Sequence, residues 1–354
     1  MAKKLMKGNE AIGEAAIRAG ALHYFAYPIT PQTEVAEYLA RRMPEVGGVF
    51  LQAESELGAS NMIFGAAASG KRVFTSSSSP GISLMSEALS YITCAELPTV
   101  FINVCRAGPG LGGILPGQGD YFQATYASGH GDFQLLVLAP STVQEAVEHI
   151  MQAFDLADKY RNPVMIFADG LIGQMMEPVD FDAVEISKPA DHSDWAITGA
   201  DGREPHLVKT LYLNPIDNEK HNVHLAKKYE AMKVEQRHEI YGGMGKPELI
   251  ITSFGTAARV CKTAIDQLNE EGVDVALFRP ITLYPFPEIE LEKLSRKKHV
   301  KSFLSVEMNS GQMIEDVKKH TRQRKPIHFF GRQGGIVPSP EEVYEAIQKI
   351  LKKQ

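Results

Sequence analysis

Short apolar runs alternate with amphipathic ones through residues 1–170, and this alternation restricts the fold more than any single motif does. Strand-like runs fall at Ala21 to Ala26, Gly48 to Leu51, Arg72 to Thr75, Thr99 to Val104, Gln134 to Ala139 and Val164 to Ala168. Helical periodicity occupies Gly8 to Ala19, Pro31 to Met43, Glu56 to Ser69, Gly81 to Cys94 and Thr142 to Lys159. Strands separated by helices of that length predict a largely parallel α/β sheet covered on both faces. The pattern breaks over 171–245, where polar residues rise and Asp201-Gly202-Arg203-Glu204-Pro205 reads as a turn. This stretch is expected to be a long excursion with a polar helix around Asn218 to Ile240. Alternation resumes at Glu248, with strands at Leu249 to Thr252, Val273 to Phe278 and Lys301 to Val306. Helices are expected at Thr256 to Glu271, Phe286 to Arg296, Ile314 to Arg322 and Pro340 to Leu351, the last opened by Ser339 as N-cap. The chain is thus expected to divide into a domain over 1–245 and a smaller α/β domain over 246–354.

Composition narrows the class further. Hydrophobic residues at 44% and charged residues at 23% of 354 are ordinary for a globular chain. The formal charge of −6 gives no signature of nucleic acid or an anionic membrane surface as partner. No apolar run approaches the roughly 18 residues of a membrane span. Met1 to Glu10 is basic with no apolar stretch behind it, unlike a signal peptide. Cys94, Cys105 and Cys261 are too far apart for a metal or iron–sulfur pattern. A cytoplasmic location with reduced thiols is the expectation.

Four segments at predicted strand ends carry the chemistry, since open α/β sheets place their ligands there. Tyr27-Pro28-Ile29-Thr30-Pro31 is a turn whose two prolines fix the backbone around one hydroxyl. Gln52-Ala53-Glu54-Ser55-Glu56 leads into a helix of small residues. Read alone, an acid there needs only the helix dipole to explain it; the functional alternative is a carboxyl aimed into the crevice. Ser76-Ser77-Ser78-Ser79-Pro80-Gly81 reads as a helix start with Ser79 as N-cap, and the same geometry offers backbone N–H groups to a ligand. Arg106 opens the glycine-rich Ala107-Gly108-Pro109-Gly110-Leu111-Gly112-Gly113 directly after a buried strand. A guanidinium there suits a carboxylate or phosphate, or pairs with a surface acid. Neither a P-loop nor a dinucleotide fingerprint is present.

Together these segments resemble the alpha subunits of 2-oxoacid:ferredoxin oxidoreductases, most closely the branched-chain (2-oxoisovalerate) type. Gly331 to Glu341 resembles the closing segment of that family's second domain. The resemblance implies a thiamine-diphosphate-binding domain of the pyrimidine type, followed by a smaller transketolase C-terminal-like domain. It implies oxidative decarboxylation of a branched-chain 2-oxo acid to acyl-CoA, with electrons passing to ferredoxin. Glu56, by its spacing to Gly65, matches the carboxyl that activates the cofactor ring; Glu54 is its rival. Thr30 and Arg106 match substrate-binding positions, and Pro28, Ile29, Glu56 and Ser79 match cofactor-binding ones. The resemblance implies that the Mg2+ site belongs to a beta subunit with a Gly-Asp-Gly motif, and the absence of that motif from this chain fits. Iron–sulfur clusters would sit in partner subunits, with coenzyme A as co-substrate, ferredoxin-like or gamma subunits alongside, and a dimer of heteromers as the assembly. No metal ligand is assigned to this chain. His130, Asp120 and Asp132 flank a further family-like loop, where a histidine among glycines is more often a packing residue than a contact to substrate or coenzyme A. Phe278 to Pro285 reads as an interface element. Two alternatives stay open: a 2-oxoglutarate-specific subunit, and a non-catalytic α/β assembly subunit. The joint presence of Thr30, Glu56 and Arg106 argues against the second.

Overall fold

A computed structural model describes residues 3–126, 129–185 and 187–353. The strands, in chain order, are β1 (Lys4–Lys7), β2 (His23–Ala26), β3 (Val49–Gln52), β4 (Val73–Ser77), β5 (Val100–Cys105), β6 (Leu136–Leu138) and β7 (Val164–Asp169). They continue with β8 (Met176–Val179), β9 (His238–Gly242), β10 (Leu249–Thr252), β11 (Val275–Pro280), β12 (Thr282–Tyr284), β13 (Ser302–Glu307) and β14 (Ile327–Gly331). A seven-stranded sheet has the order β12-β6-β7-β5-β4-β2-β3 and a five-stranded sheet the order β14-β13-β10-β11-β9, while β1 and β8 form a separate antiparallel pair. The large sheet is parallel except at its β12 edge, and the smaller one except at its β9 edge.

Alternation along β5 shows why the large sheet is buried on both faces. Val100, Ile102 and Val104 enter one core with Tyr24, Phe74 and Phe154, while Phe101 and Cys105 enter another. The second core continues without a break into Ile250, Phe254, Phe278 and Phe303 of the smaller unit. Leu249 and Ile251, one residue off in the pleat, face outward to a third core with Cys261, Val343 and Ile347.

The expected helices form with ends displaced by a residue or two. Thr142 caps the helix Val143–Tyr160 by accepting from the Glu145 amide. Ser339 and Glu342 form a reciprocal capping box with Pro340 in the first turn. One cap differs from expectation: the helix begins at Ser79, so Ser78 is the N-cap and its hydroxyl caps nothing. The Ser79 hydroxyl is drawn away by Asp120 instead. The polar helix also differs. It runs Pro215–Met232, and the chain then turns to pair as β9 against β11, because Ile240 and Tyr241 carry strand rather than helix character. No helix among the described residues is long and apolar enough to cross a membrane.

Candidate active site

The parallel strands bring their carboxyl ends to one edge, so the loops after β2, β3, β4, β5 and β7 meet there. The turn after β2 is tied from behind. The Asn9 amide donates to the Pro31 carbonyl at 2.7 Å, and Gln174 donates to the same oxygen at 3.3 Å. Gln32 is fully buried; it donates to the Tyr27 carbonyl at 3.2 Å and accepts from Ser76, whose hydroxyl also meets that of Tyr24. These bonds leave the Thr30 side chain exposed and without a protein hydrogen-bond partner among the described residues. Pro28 and Ile29 lie half-buried beside it.

Arg106 is 6% exposed and reaches this turn directly. Its Nη1 donates to the Thr30 carbonyl at 2.9 Å and its Nη2 to the Leu111 carbonyl at 3.0 Å, while Nε is buried with no partner. A guanidinium has five N–H donors, so these two bonds aim it without exhausting it. Sequence reasoning placed Thr30 and Arg106 at one site, and they are in contact.

Glu56, favoured by its spacing, and its rival Glu54 differ in burial. Glu54 is exposed, and its carboxylate folds over Gly58 at the amino end of the helix Glu56–Ala68. Ser55 caps that helix through the Gly58 amide at 3.1 Å. Glu56 is 6% exposed, and no protein group among the described residues donates to its carboxyl. A methyl group on Gly81 would lie 2.6 Å from Glu56 Oε1 and would also strike the Ser77 hydroxyl. The missing Cβ of Gly81 therefore makes the space that Glu56 faces. Thr75, Ser77 and Ser78 have buried hydroxyls without partners in the same strand end and turn. A buried carboxyl and orphaned hydroxyls together fit a flat polar ring bearing N–H donors better than they fit closed protein packing.

The sequence did not single out the network joining Ser79 to Arg106. The Ser79 hydroxyl is 2.6 Å from Asp120 and 3.1 Å from the Arg106 amide, which donates to it. Asn103 holds Asp120 Oδ2 at 2.9 Å and accepts from the Ser79 amide at 3.2 Å. Burial, and then the Asp120 charge, push the neighbouring Cys105 thiol well above its ordinary range, so it stays neutral. Asp120 starts the short helix Tyr121–Thr125 but gives its side chain to Ser79 and Asn103. The available signal was Asp120 in a glycine-rich loop; nothing local marked its partners. His130 packs its ring edge-on to Tyr91, 5.8 Å between centroids, while Ser90 donates to its carbonyl. Asp132 is exposed. No group of three or more metal-ligating side chains is assembled among the described residues.

A largely parallel α/β domain joined to a second α/β unit has counterparts among solved structures. A split-gene transketolase shares the fold at a TM-score of 0.57, with 14% identity over 98% of both chains. A 2-oxoglutarate:ferredoxin oxidoreductase from Magnetococcus marinus, solved with 2-oxoglutarate, coenzyme A and succinyl-CoA bound, matches far better. Its TM-score is 0.85 at 26% identity, over 98% of this chain and 65% of that one.

Sequence comparison gives the particular family. Residues 14–240 match the thiamine-diphosphate-binding family of pyruvate flavodoxin/ferredoxin oxidoreductases, and residues 247–343 match core domain II of pyruvate:ferredoxin oxidoreductase. The ketoisovalerate oxidoreductase subunit VorB of Methanothermobacter marburgensis is 43% identical over 99% of this chain and 98% of its own length. The 2-oxoglutarate synthase subunit KorA of Methanocaldococcus jannaschii is 34% identical over 98% of this chain and 100% of its own. The chain belongs to the 2-oxoacid:ferredoxin oxidoreductases, enzymes built from several subunits, and carries the family's thiamine-diphosphate-binding domain.

Proposed function

We propose that this chain is the alpha subunit of a branched-chain 2-oxoacid:ferredoxin oxidoreductase. Such an enzyme would convert 2-oxoisovalerate and similar acids, with coenzyme A, to acyl-CoA, carbon dioxide and reduced ferredoxin. The observation that carries the catalytic reading is the buried, unpartnered Glu56 carboxyl facing the space left by Gly81. The greater identity to the ketoisovalerate subunit, 43% against 34% for a 2-oxoglutarate subunit, favours the branched-chain substrate. Division into units 1–245 and 246–354, with β9 lent to the second sheet, accords with the family matches ending at 240 and resuming at 247.

Each residue has a role that its surroundings support. Glu56 holds a proton at the cofactor's ring nitrogen; a dry pocket strengthens that hydrogen bond. Pro28, Ile29 and Ser79 would contact the ring. Arg106 and Thr30 receive the substrate carboxylate, the guanidinium through its remaining N–H donors and the threonine through its free hydroxyl. Thiamine diphosphate, when bound, supplies the nucleophilic carbon and the electron sink for loss of carbon dioxide. The diphosphate and its Mg2+ would be held by a beta subunit. Iron–sulfur clusters would be held by ferredoxin-like or gamma subunits and would supply the single-electron route to ferredoxin. A cytoplasmic dimer of heteromers, with Cys94, Cys105 and Cys261 as thiols, completes the proposal.

The test is to co-purify the chain with its neighbouring subunits and assay a panel of 2-oxo acids with coenzyme A and a low-potential acceptor. Branched-chain acids should show the highest kcat/KM, by about tenfold or more over 2-oxoglutarate. A preference for 2-oxoglutarate would replace the substrate assignment, and no turnover of any oxo acid would remove the catalytic one.

A further inference from the structure

The glycine-rich loop after Arg106 is closed on itself at its base. The Ala107 amide donates to the Leu115 carbonyl at 2.9 Å, the Gly113 amide donates to the Ala107 carbonyl at 2.9 Å, and Arg106 bridges to Pro116. Gly117 packs so closely on Ala107 that a Cβ there would come within 3.1 Å of the backbone. The returning limb therefore sets where the loop's Leu111 carbonyl stands, and that carbonyl is one of two acceptors aiming the Arg106 guanidinium.

Directly beyond this base lies Gln118, 1% exposed, with every polar group bonded to the second unit. Its amide donates to the Met308 carbonyl at 3.0 Å, and its side-chain oxygen accepts from the Met308 amide at 3.0 Å. Its side-chain nitrogen donates to the Phe254 carbonyl at 2.8 Å, and its carbonyl accepts from Asn309 at 2.9 Å. Gln312 adds a bond to the Gly119 carbonyl at 2.7 Å. On the other side of this limb, Gly335 of the second unit has a φ of +92° and no room for a side chain, since a Cβ would meet that of Leu115 at 2.6 Å. The second unit thus grips both sides of the returning limb, although it contributes none of the groups placed in the chemistry above.

We propose that Gln118 is a positioning residue through which the second unit fixes the Arg106 loop, and with it the carboxylate-binding geometry. This rests on the reading of Arg106 as the substrate's carboxylate partner. Four hydrogen bonds from one buried residue across a unit boundary exceed what packing of a loop stem requires. Their consequence is that slack at this boundary appears as misplacement of Arg106, where small displacements are costly to substrate binding.

Gln118→Met keeps the side chain's length and packing while removing its hydrogen bonds, and Asn309→Ala removes one bond from the opposite side. In the assembled complex with 2-oxoisovalerate, Gln118→Met should raise KM for the acid by roughly tenfold and change kcat by no more than about twofold. Affinity for thiamine diphosphate, measured by calorimetry, should be unchanged, and Asn309→Ala should shift KM in the same direction by less. If Gln118→Met does not assemble, Asn309→Ala carries the test alone. A lowered melting temperature with unchanged KM overturns the proposal in favour of a purely structural role; so does a parallel loss of KM, kcat and cofactor affinity. Arg106→Lys serves as the control for the underlying reading. If it leaves KM unchanged, the assignment of Arg106 fails; if it raises KM while neither boundary variant does, only the role of Gln118 fails.

Discussion

At the scale of single residues, burial decides what spacing leaves open. Glu54 and Glu56 are two positions apart on one motif, and both suit the first turn of a helix in a positive field. Their fates diverge because the helix starts at Glu56, which turns that side chain inward over Gly81 while Glu54 stays outside against Gly58. Glu54 has solvent to satisfy it, whereas Glu56, at 6% exposure and with no donor among the described residues, presents its carboxyl to whatever enters the space beside Gly81. Glu56→Gln keeps the shape and removes the acid, so in the assembled complex oxoacid-dependent dye reduction should fall by roughly 100-fold or more. Glu54→Gln should stay within about threefold of the unaltered enzyme, as changes at an exposed carboxylate usually do. The reverse order of these two effects would move the catalytic assignment to Glu54.

At the scale of elements, regular periodicity was readable and edge strands were not. The helix Val143–Tyr160 and the central strands β5 and β7 carry long apolar patterns, and residues 100–105 and 164–169 are buried throughout. By contrast β1 (Lys4–Lys7), β8 and β9 are short, mixed in polarity and half-exposed, so what strand character they have is too brief to read without the partner edge alongside. The candidate site divides on the same line. Thr30, Glu56 and Arg106 lie at strand ends that the pattern marks. Gln118, Asn103 and Asp120 gain their meaning from partners 17 to 191 positions away in the chain, and no local signal encodes those. Where a local signal is complete, it is quantitative. Ser339, Pro340 and Glu342 make the last helix's capping box without outside help, apart from a bond between Arg332 and Glu342. Ser339→Ala should therefore destabilise the chain by about 1 kcal/mol, read as a lower unfolding midpoint in denaturant. A loss smaller than about 0.3 kcal/mol would mean that the Arg332 contact alone holds this end.

At the scale of the whole molecule, the two units exchange strands: β9 completes the smaller sheet, and β12 completes the larger one from beyond the boundary. A single buried guanidinium ties the exchange together. Arg279, at the end of β11, is 1% exposed and donates twice to Glu145 on the helix Val143–Tyr160, at 2.9 and 2.6 Å, and once to Glu239 on β9 at 2.6 Å. His149, one turn further along that helix and 6% exposed, lies beside this cluster. Burial depresses its pKa to about 4; the Glu145 charge opposes the shift, and Arg279 and Arg237 reinforce it. The unfolded imidazole titrates near 6.5, so acid is taken up preferentially by the unfolded chain. His149 therefore leaves stability intact above that pH and erodes it as the pH falls from about 6.5 towards about 4. His149→Phe removes this proton uptake while filling the same space. Titratable groups away from this cluster behave alike in both proteins and cancel in the difference, which leaves His149 together with the Glu145 charge beside it. Between about pH 7 and pH 5 the unaltered chain should lose on the order of 2 kcal/mol more stability than the variant, as measured from denaturant unfolding at the two pH values. Parallel curves would show that His149 binds its proton equally well in the folded state. The buried cluster at the strand exchange would then have to admit a further positive charge beside Arg279, which its burial and the two flanking arginines oppose.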